Sequence, residues 1–156
     1  MALAFIFPGQ GSQAVGMGAA LSDAFPSAKA VFQEVDDALG QNLSRLMKDG
    51  PIEDLTLTEN TQPALMACSV AAMRALKTEF GIDVTKADCV AGHSLGEYSA
   101  LCAAGVLELD VTAKLLKLRG QSMQAAVAPG VGAMAALLGA TPEDAAAACK
   151  AGSAER

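Results

Sequence analysis

The sequence predicts an α/β fold built on a parallel sheet, and three features carry that prediction. Continuous apolar runs at Ala2–Phe7 and just before Gly92 are typical of strands covered on both faces of such a sheet. A glycine-rich loop, Pro8–Gln13, follows the first run. The segment Gly92-His93-Ser94-Leu95-Gly96 has the spacing G-x-S-x-G of a nucleophile elbow, a sharp turn from strand to helix.

Length and composition favour one domain with a substantial core. The chain has 156 residues, of which 52% are hydrophobic and 18% charged. Its formal net charge is −6 and the basic residues are scattered, which argues against nucleic acid or an anionic membrane surface as a partner. The longest apolar stretch, Ala64–Leu76, contains Arg74 and is too short to span a membrane. No secretory leader is visible.

The cysteines favour a cytoplasmic protein without metal. All four lie far apart in apolar contexts, where cysteines are more often small buried residues than ligands or disulfides: Cys68, Cys89, Cys102 and Cys149. We therefore expect free thiols in a reducing cytoplasm and no metal site.

The loop Pro8–Gln13 is the first candidate functional element along the chain. It has neither the G-x-G-x-x-G spacing of a dinucleotide fold nor the lysine of a phosphate loop. A backbone placed to donate hydrogen bonds at the carboxyl edge of the sheet is one interpretation, and a plain turn is the other.

The remaining elements follow from helical periodicity, caps and breakers. The longest helix is expected from Gln62 to Phe80, with Pro63 near its first position, where proline is normal. Thr141 is expected to cap the last helix. The other expected elements, in order, are a helix over 27–39, a helical turn over 43–47, a loop over 55–60, strands over 85–92 and 133–138, and helices over 98–104, 110–126 and 142–151.

The elbow segment would place Ser94 at the start of a helix. Gly92 and Gly96 satisfy the need for small residues on both sides of so tight a turn. Free backbone N–H groups and the helix dipole would favour negative charge developing there. The alternative is that Ser94 and Glu97 form a capping box, S-x-x-E, in which the serine only satisfies a backbone donor.

The helix predicted over 110–126 carries an arginine on its apolar side. Four residues form its polar face: Lys114, Lys117, Gln121 and Gln124. Leu116, Met123 and Ala126 form an apolar stripe, in which Arg119 also falls. An inward guanidinium is costly unless it meets an anion or several acceptors. A structural ion pair, or a side chain that reaches the rim, would also explain it.

Four motifs in this order resemble the malonyl-CoA:acyl carrier protein transacylases of bacterial fatty acid synthesis. They are the segments Phe7–Gln13 (FPGQGSQ), Thr61–Leu65 (TQPAL), Gly92–Leu101 (GHSLGEYSAL) and Arg119-Gly120. The acyltransferase domains of polyketide synthases are close relatives of that family, and the likeness runs from the first residue to the last.

The resemblance implies a large domain similar to the α/β hydrolases, with a small ferredoxin-like subdomain inserted into it. Residues 1–127 would form the first part of the large domain, and residues 130–156 would begin the small one. Members of the family are much longer, so we expect the rest of the family's domain to lie outside this sequence.

The resemblance also implies a mechanism and its residues. Ser94 matches the nucleophile that takes malonyl from coenzyme A as an ester, which the phosphopantetheine thiol of acyl carrier protein then removes. The backbone N–H groups of Gln10 and Leu95 match the oxyanion hole, where one donor is worth roughly 3–4 kcal/mol of barrier. Arg119 matches the arginine that pairs with the malonyl carboxylate, and Gln62 is expected to support the site. Malonyl-CoA and the carrier protein are the implied partners, and no cofactor is implied.

The family's catalytic histidine would lie beyond Arg156, and the sequence contains one histidine, His93. His93 is adjacent to Ser94, and neighbouring side chains do not face one another across such a turn. We interpret it as a packing residue beside the site, with a role as the base as the alternative. Without a base we expect the chain alone to be nearly inactive, with a C-terminal segment of the same protein as a further partner.

Two other functions stay open. A serine hydrolase such as a thioesterase would share the elbow but deliver the acyl group to water. A non-catalytic remnant would bind malonyl-CoA or carrier protein without turnover.

Overall fold

The computed structural model describes residues 2–127, 131 and 137–154. The chain divides into two compact units, Met1–Ala126 and Val127–Arg156. The first unit combines helices with a small parallel sheet, which confirms the predicted α/β class.

The sheet of the first unit consists of two parallel strands, β1 (Ala4–Phe7) and β2 (Cys89–Gly92), with Ala4 opposite Cys89 and Phe7 opposite Gly92. Helices occupy most of the remaining described chain. They are α1 (Ala19–Ala24), α2 (Pro26–Leu39), α3 (Leu43–Asp49), α4 (Ile52–Thr56), α5 (Thr58–Phe80), α6 (Leu95–Ala103) and α7 (Leu109–Ala126) in the first unit, and α8 (Pro142–Ala154) in the second.

The core lies around α5, which packs against α2, α6 and α7. Fully buried alanines such as Ala64, Ala67 and Ala71 let the neighbouring helices approach α5 closely. Larger apolar side chains fill the space between helices, including Val31 from α2 and Leu116 from α7. This packing fixes α5 and α7 side by side, and both contribute to the site described below.

The sheet is covered on one face, whereas the sequence predicted burial on both. Phe7 is 3% exposed and packs with Val84 and Ala100. Ile6, which points to the opposite face, is 79% exposed. Successive strand residues face opposite sides of a sheet, and none of the described elements buries the Ile6 side. An apolar run alone does not reveal which of its faces is covered.

The segment predicted as a loop over residues 55–60 is helical. Helix α4 ends at Thr56, and α5 begins at Thr58, four residues before Gln62, so that Pro63 is its sixth residue rather than its first or second. Side chains within α5 join it to α4: the Thr61 hydroxyl donates to the Leu55 carbonyl, and the Asn60 amide donates to the carbonyl of Asp54. These bonds stabilise a helix start that proline alone would not indicate.

The strand that leads to Gly92 is shorter than predicted. Residues Val84–Lys86 form a 3₁₀ turn, and β2 begins only at Cys89. The Asp83 carboxylate accepts hydrogen bonds from the backbone N–H and the hydroxyl of Thr85. These two bonds, together with the nearby Lys77 ammonium, lower the pKa of Asp83 to about 2. The local cap therefore favours a turn over extension of the strand.

Two further sequence expectations concern the second unit and the cysteines. Most of the strand expected over 133–138 lies outside the described residues, and Leu137 and Leu138 are not in a strand. All four cysteines are free; Cys102 is buried and Cys68 half-buried, but Cys89 and Cys149 are exposed. Among the described residues, no helix combines the length and apolar character needed to cross a membrane.

Candidate active site

Ser94 connects β2 to α6 in an unusual backbone conformation. Its φ is 56° and its ψ −113°, and it is the non-glycine residue with positive φ in the described chain. Such dihedral angles cost of order 1–3 kcal/mol for a residue with a side chain and are found most often at functional sites. The Ser94 side chain makes no capping hydrogen bond to α6. The capping-box alternative is therefore wrong, and the serine hydroxyl is available for other contacts.

The two glycines beside Ser94 are required by space. A Cβ on Gly92 would lie 2.0 Å from the backbone carbon and oxygen of Gly96. A Cβ on Gly96 would lie 2.4 Å from the Phe7 carbonyl oxygen and 2.8 Å from that of Pro8. Both distances are far below van der Waals contact, so no side chain fits at either position. The second clash also shows that the loop after β1 runs directly against the start of α6.

Arg119 extends from α7 to the serine. Its Nη2 donates a hydrogen bond to Ser94 Oγ at 3.1 Å, and its Nη1 donates to Gln62 Oε1 at 2.6 Å. The guanidinium carbon lies 5.8 Å from the centre of the Tyr98 ring, a cation–π distance. The sequence placed Ser94, Gln62 and Arg119 in three separate motifs, and the structure brings their side chains into direct contact.

Arg119 has no carboxylate partner among the described residues, although other cations of the first unit do. Both of its acceptors are neutral. The structural ion pair that the sequence left open is therefore not formed within the described chain. A guanidinium carries five N–H donors, so three remain for a ligand after these two bonds. The arrangement suits an anion with two acceptor oxygens, such as a carboxylate.

Gly120 explains how α7 comes close enough to α5. A Cβ at this position would lie 2.4 Å from Glu59 Cα and 2.7 Å from the Thr58 carbonyl oxygen. The buried face of α7 consists of Leu109, Thr112, Ala113, Leu116 and Gly120. This face differs from the predicted stripe, because Met123 is 39% exposed and Ala126 is exposed as well. The helix is turned so that Gly120 lies against the backbone at the start of α5.

Lys117 anchors the same crossing with a set of polar contacts. Its Nζ donates to Gln41 Oε1 and Asn60 Oδ1, both at 2.9 Å, and lies 3.3 Å from a carboxylate oxygen of Glu59. Gln121 also donates to Glu59. The lysine was predicted on a solvated face, but it is only 22% exposed because three acceptors surround it.

Gln62 is fully buried and holds Arg119 by its side-chain oxygen. Its Nε2 donates to Thr58 Oγ1 at 2.9 Å and lies 3.4 Å from the sulfur of Met123. The Thr58 hydroxyl in turn donates to Gln10 Oε1 at 2.8 Å. A continuous chain of hydrogen bonds thus connects the loop after β1 with Arg119 and Ser94. Sequence analysis did not identify Thr58 because its segment was predicted as a loop. In a loop, unlike in a helix, residues four positions apart are not expected to be neighbours.

Gln10 and Leu95 are the residues whose backbone N–H groups were predicted to form the oxyanion hole. Leu95 is the first residue of α6, where the N–H groups of a helix have no partner within the helix. Gln10 is an exposed residue of the loop after β1. Within that loop the Gly11 N–H donates to Gln13 Oε1 at 2.9 Å, which fixes the turn locally. The contact of Gly96 with Phe7 and Pro8 brings the loop alongside the helix start.

His93 lies on the outside of the turn. It is exposed, its N–H donates to the Phe7 carbonyl at 3.2 Å, and a Cβ built on Gly9 would lie 2.5 Å from its Nδ1. The imidazole therefore packs over the glycine of the loop after β1.

The buried thiols are poor candidates for a second nucleophile. Burial raises the pKa of the Cys68 thiol to about 11, and it also raises the pKa of Cys102. Since the thiolate is the reactive form, both remain protonated at neutral pH. Within the described part of the chain, no three His, Cys, Asp or Glu residues come together as a possible metal site.

The candidate site thus consists of a serine on a strained turn beside a guanidinium that has no carboxylate partner among the described residues. A family model described as an acyl transferase domain matches residues 4–152. The chain therefore belongs to the acyl transferase family.

Individual relatives narrow the likeness to malonyl transfer. The malonyl CoA-acyl carrier protein transacylase of Haemophilus influenzae is 50% identical over 147 residues, which are 94% of this chain and 46% of the relative. A crystal structure of the acyl-carrier-protein-S-malonyltransferase from Bartonella henselae is 55% identical with a TM-score of 0.90, covering 97% of this chain and 48% of that protein. The chain thus spans about half the length of these relatives.

One solved relative contains a partner. It is a malonyl-transacylase in complex with the acyl-carrier protein of a type II polyketide synthase. This structure is 46% identical with a TM-score of 0.87, and the match covers 97% of this chain and 48% of that one.

Proposed function

We propose that this chain carries the acyl-accepting half of a malonyl-CoA:acyl carrier protein transacylase. In that role Ser94 is the nucleophile and Arg119 binds the malonyl carboxylate. The observation that supports this most directly is the guanidinium bonded to Ser94 Oγ and Gln62 Oε1, with no carboxylate of the described chain beside it. A malonyl group joined to Ser94 would place its free carboxylate within reach of the same guanidinium.

The proposed reaction has two steps of the same kind. In the first, Ser94 Oγ attacks the thioester carbonyl of malonyl-CoA, the carbon–sulfur bond breaks, and the serine proton passes through a base to the leaving thiolate. In the second, the phosphopantetheine thiol of acyl carrier protein attacks the malonyl-serine ester, the carbon–oxygen bond of the ester breaks, and the thiol proton passes through the base to Ser94 Oγ. Each step passes through an oxyanion, for which the N–H groups of Gln10 and Leu95 are the proposed donors.

The fold expectations extend this proposal. We propose that the turn at Ser94 is the nucleophile elbow of an α/β-hydrolase-like domain, of which residues 1–127 are the first part. Residues 130–156 would begin the ferredoxin-like subdomain. The relatives are about twice as long as this chain, which supports a further segment that completes the site.

The proposed reaction also requires a general base. The sequence has one histidine, and His93 packs over the loop at Gly9 on the outside of the turn. A serine without a base is a weak nucleophile, and losing the base of a Ser–His pair typically leaves about 10³–10⁴-fold catalysis over water. We therefore expect the base to come from a further segment corresponding to the second half of the relatives.

Binding without turnover is a second candidate function for the isolated chain, favoured by the position of His93. It predicts that malonyl-CoA binds while neither hydrolysis nor transfer to carrier protein follows. Hydrolysis at the same rate with and without carrier protein would instead indicate a serine hydrolase.

The proposal is tested by comparing the affinity of the chain for malonyl-CoA and acetyl-CoA by calorimetry. These thioesters differ by the free carboxylate, and a charge-assisted pair is worth about 1.5–3 kcal/mol, roughly tenfold or more in affinity. We expect malonyl-CoA to bind more tightly, and Arg119→Ala to remove the difference. Equal affinities in the unaltered chain would overturn the assignment of Arg119.

Transfer itself is measured with phosphopantetheinylated carrier protein. We expect little transfer by the chain alone. We expect a larger rate when a polypeptide corresponding to the second half of the Haemophilus influenzae relative is added, and loss of that gain in Ser94→Ala. Rapid transfer by residues 1–156 alone that survives Ser94→Ala would contradict the proposed nucleophile.

A further inference from the structure

Thr58 occupies a central position in the hydrogen-bond chain of the site. It is partly buried at the first residue of α5, one turn before Gln62. Its hydroxyl contacts two side-chain amides, receiving a hydrogen bond from Gln62 Nε2 and donating one to Gln10 Oε1. It is thus the one described side chain that touches both the glutamine holding Arg119 and the glutamine of the loop after β1.

Arg119 determines the orientation of the Gln62 amide in this chain of hydrogen bonds. A guanidinium can only donate, so Gln62 must turn its oxygen toward Arg119 and its NH₂ group toward Thr58. A hydroxyl has a single hydrogen, and once Thr58 accepts from Gln62 that hydrogen is free for the oxygen of Gln10. Reversing the Gln62 amide would place its NH₂ group against the guanidinium, two donors face to face.

The Thr58 hydroxyl in turn stabilises the position of Arg119 through Gln62. Gln62 is fully buried, so its amide must be hydrogen-bonded at both ends to avoid a desolvation cost. If the hydroxyl is removed, Nε2 keeps only the weak acceptor Met123 sulfur at 3.4 Å. The orientation of the Gln62 amide, with its oxygen toward the guanidinium, is then less strongly favoured. Arg119 in turn loses a fixed acceptor and keeps its contacts with Ser94 and the Tyr98 ring.

We propose that Thr58 is a positioning residue for selectivity between acyl groups. Its hydroxyl fixes the amide of Gln62 and thereby the Arg119 guanidinium that receives the second carboxylate of the substrate, and it joins this arm to the loop of Gln10. This inference rests on the proposed function, because it requires that Arg119 bind a malonyl carboxylate.

The test compares three threonine variants of the full 156-residue chain. Thr58→Val removes the hydroxyl at nearly constant shape, and Thr58→Ser keeps it. Thr112→Val is the matched control, since Thr112 is fully buried in α7 and its hydroxyl donates to the Glu108 carbonyl one turn earlier and not to Gln62 or Gln10. For each variant, calorimetry gives the dissociation constants for malonyl-CoA and acetyl-CoA, and circular dichroism confirms folding.

We expect Thr58→Val to reduce the preference for malonyl-CoA over acetyl-CoA by about three- to tenfold, as for loss of one hydrogen bond. Thr58→Ser and Thr112→Val should keep the preference of the unaltered chain. A folded Thr58→Val protein with the full preference would overturn the role of Thr58 while leaving the proposed function intact. An unaltered chain without any preference would overturn both.

A second measurement does not depend on any ligand. The side-chain NH₂ resonances of Gln62 report its hydrogen bonds in a ¹⁵N-correlated NMR spectrum. Thr58→Val should shift these resonances and those of Gln10, whereas Thr112→Val should leave both in place. Unchanged Gln62 and Gln10 resonances in Thr58→Val would contradict the bridge itself.

Discussion

Two helices of this protein begin with nearly the same sequence pattern and use it in opposite ways. Helix α6 follows Ser94 in the segment Ser-Leu-Gly-Glu, and α8 follows Thr141 in the segment Thr-Pro-Glu-Asp. At α8 the Thr141 hydroxyl accepts from the N–H of Asp144, and the Asp144 carboxylate accepts from the N–H of Thr141. This reciprocal pair is a capping box. At α6 the serine makes no capping bond and contacts Arg119 instead.

The difference comes from the residues around the pattern. Gly92 and Gly96 let strand and helix meet so closely that Ser94 takes a positive φ, which turns its hydroxyl away from the helix N–H groups. Thr141 is followed by Pro142 at the first helical position, which favours an ordinary helix start. A hydroxyl at the N-cap position of a helix therefore either caps the helix or makes other contacts, according to its neighbours.

The largest expected effect concerns the glycine before the serine. Gly92→Ala places a Cβ 2.0 Å from Gly96 backbone atoms, so the turn must open. We expect the free energy of unfolding to fall by more than about 3 kcal/mol, measured by denaturant titration. The matched control is Gly152→Ala in α8, where nothing lies within 4 Å of the new Cβ. That variant should be neutral or gain about 0.5 kcal/mol. Equal effects at the two glycines would contradict the close approach at the turn.

The next effect isolates the backbone conformation of the serine itself. Ser94→Gly removes the steric penalty of φ 56°, and it leaves α6 with no capping bond to lose. We expect the unfolding free energy to rise by about 1 kcal/mol, part of the 1–3 kcal/mol associated with such strain, while malonyl transfer by the completed enzyme is lost. A variant that loses stability would indicate that Ser94 supports the fold rather than the chemistry.

Most elements of the first unit could be predicted from the sequence because they depend on local sequence patterns. Glycine spacing and an apolar run are enough to predict that Ser94 follows a strand and precedes a helix. A helical stripe was enough to single out Arg119 as an inward charge. The start of α5 could not be reached in this way, because side-chain bonds from Asn60 and Thr61 to α4 stabilise it.

The same limit explains what was missed in the site. Thr58 becomes visible only when its segment is known to be helical, since four residues separate it from Gln62 along one helix face. Gly120 was recognised as part of a motif, but its contact with Glu59 depends on how two distant helices cross. Whether one or both faces of β1 are buried likewise depends on neighbouring elements, which the apolar segment around Ile6 does not reveal.

A third prediction compares the two hydroxyls directly. Thr141→Ala removes a capping acceptor from α8 and should cost about 1 kcal/mol of local helix stability, seen as faster amide hydrogen exchange in the first turn. Ser94→Ala removes no capping bond, so exchange in the first turn of α6 should change much less. Equal acceleration in both helices would show that Ser94 caps α6 in solution, against its observed contacts.

The smallest effect is a pH dependence confined to α8. The backbone N–H of Thr141, followed by its hydroxyl, lowers the pKa of the Asp144 carboxyl below its usual range. A lowered pKa in the folded state stabilises the cap above the unfolded value of about 3.9, and this contribution is lost as the pH falls through the folded value. We expect the Thr141 amide resonance to move across that acidic range, and Asp144→Asn to abolish the movement. Because α6 begins without such a reciprocal pair, the Ser94 amide should not follow the same titration; if it did, the two helix starts would be capped alike.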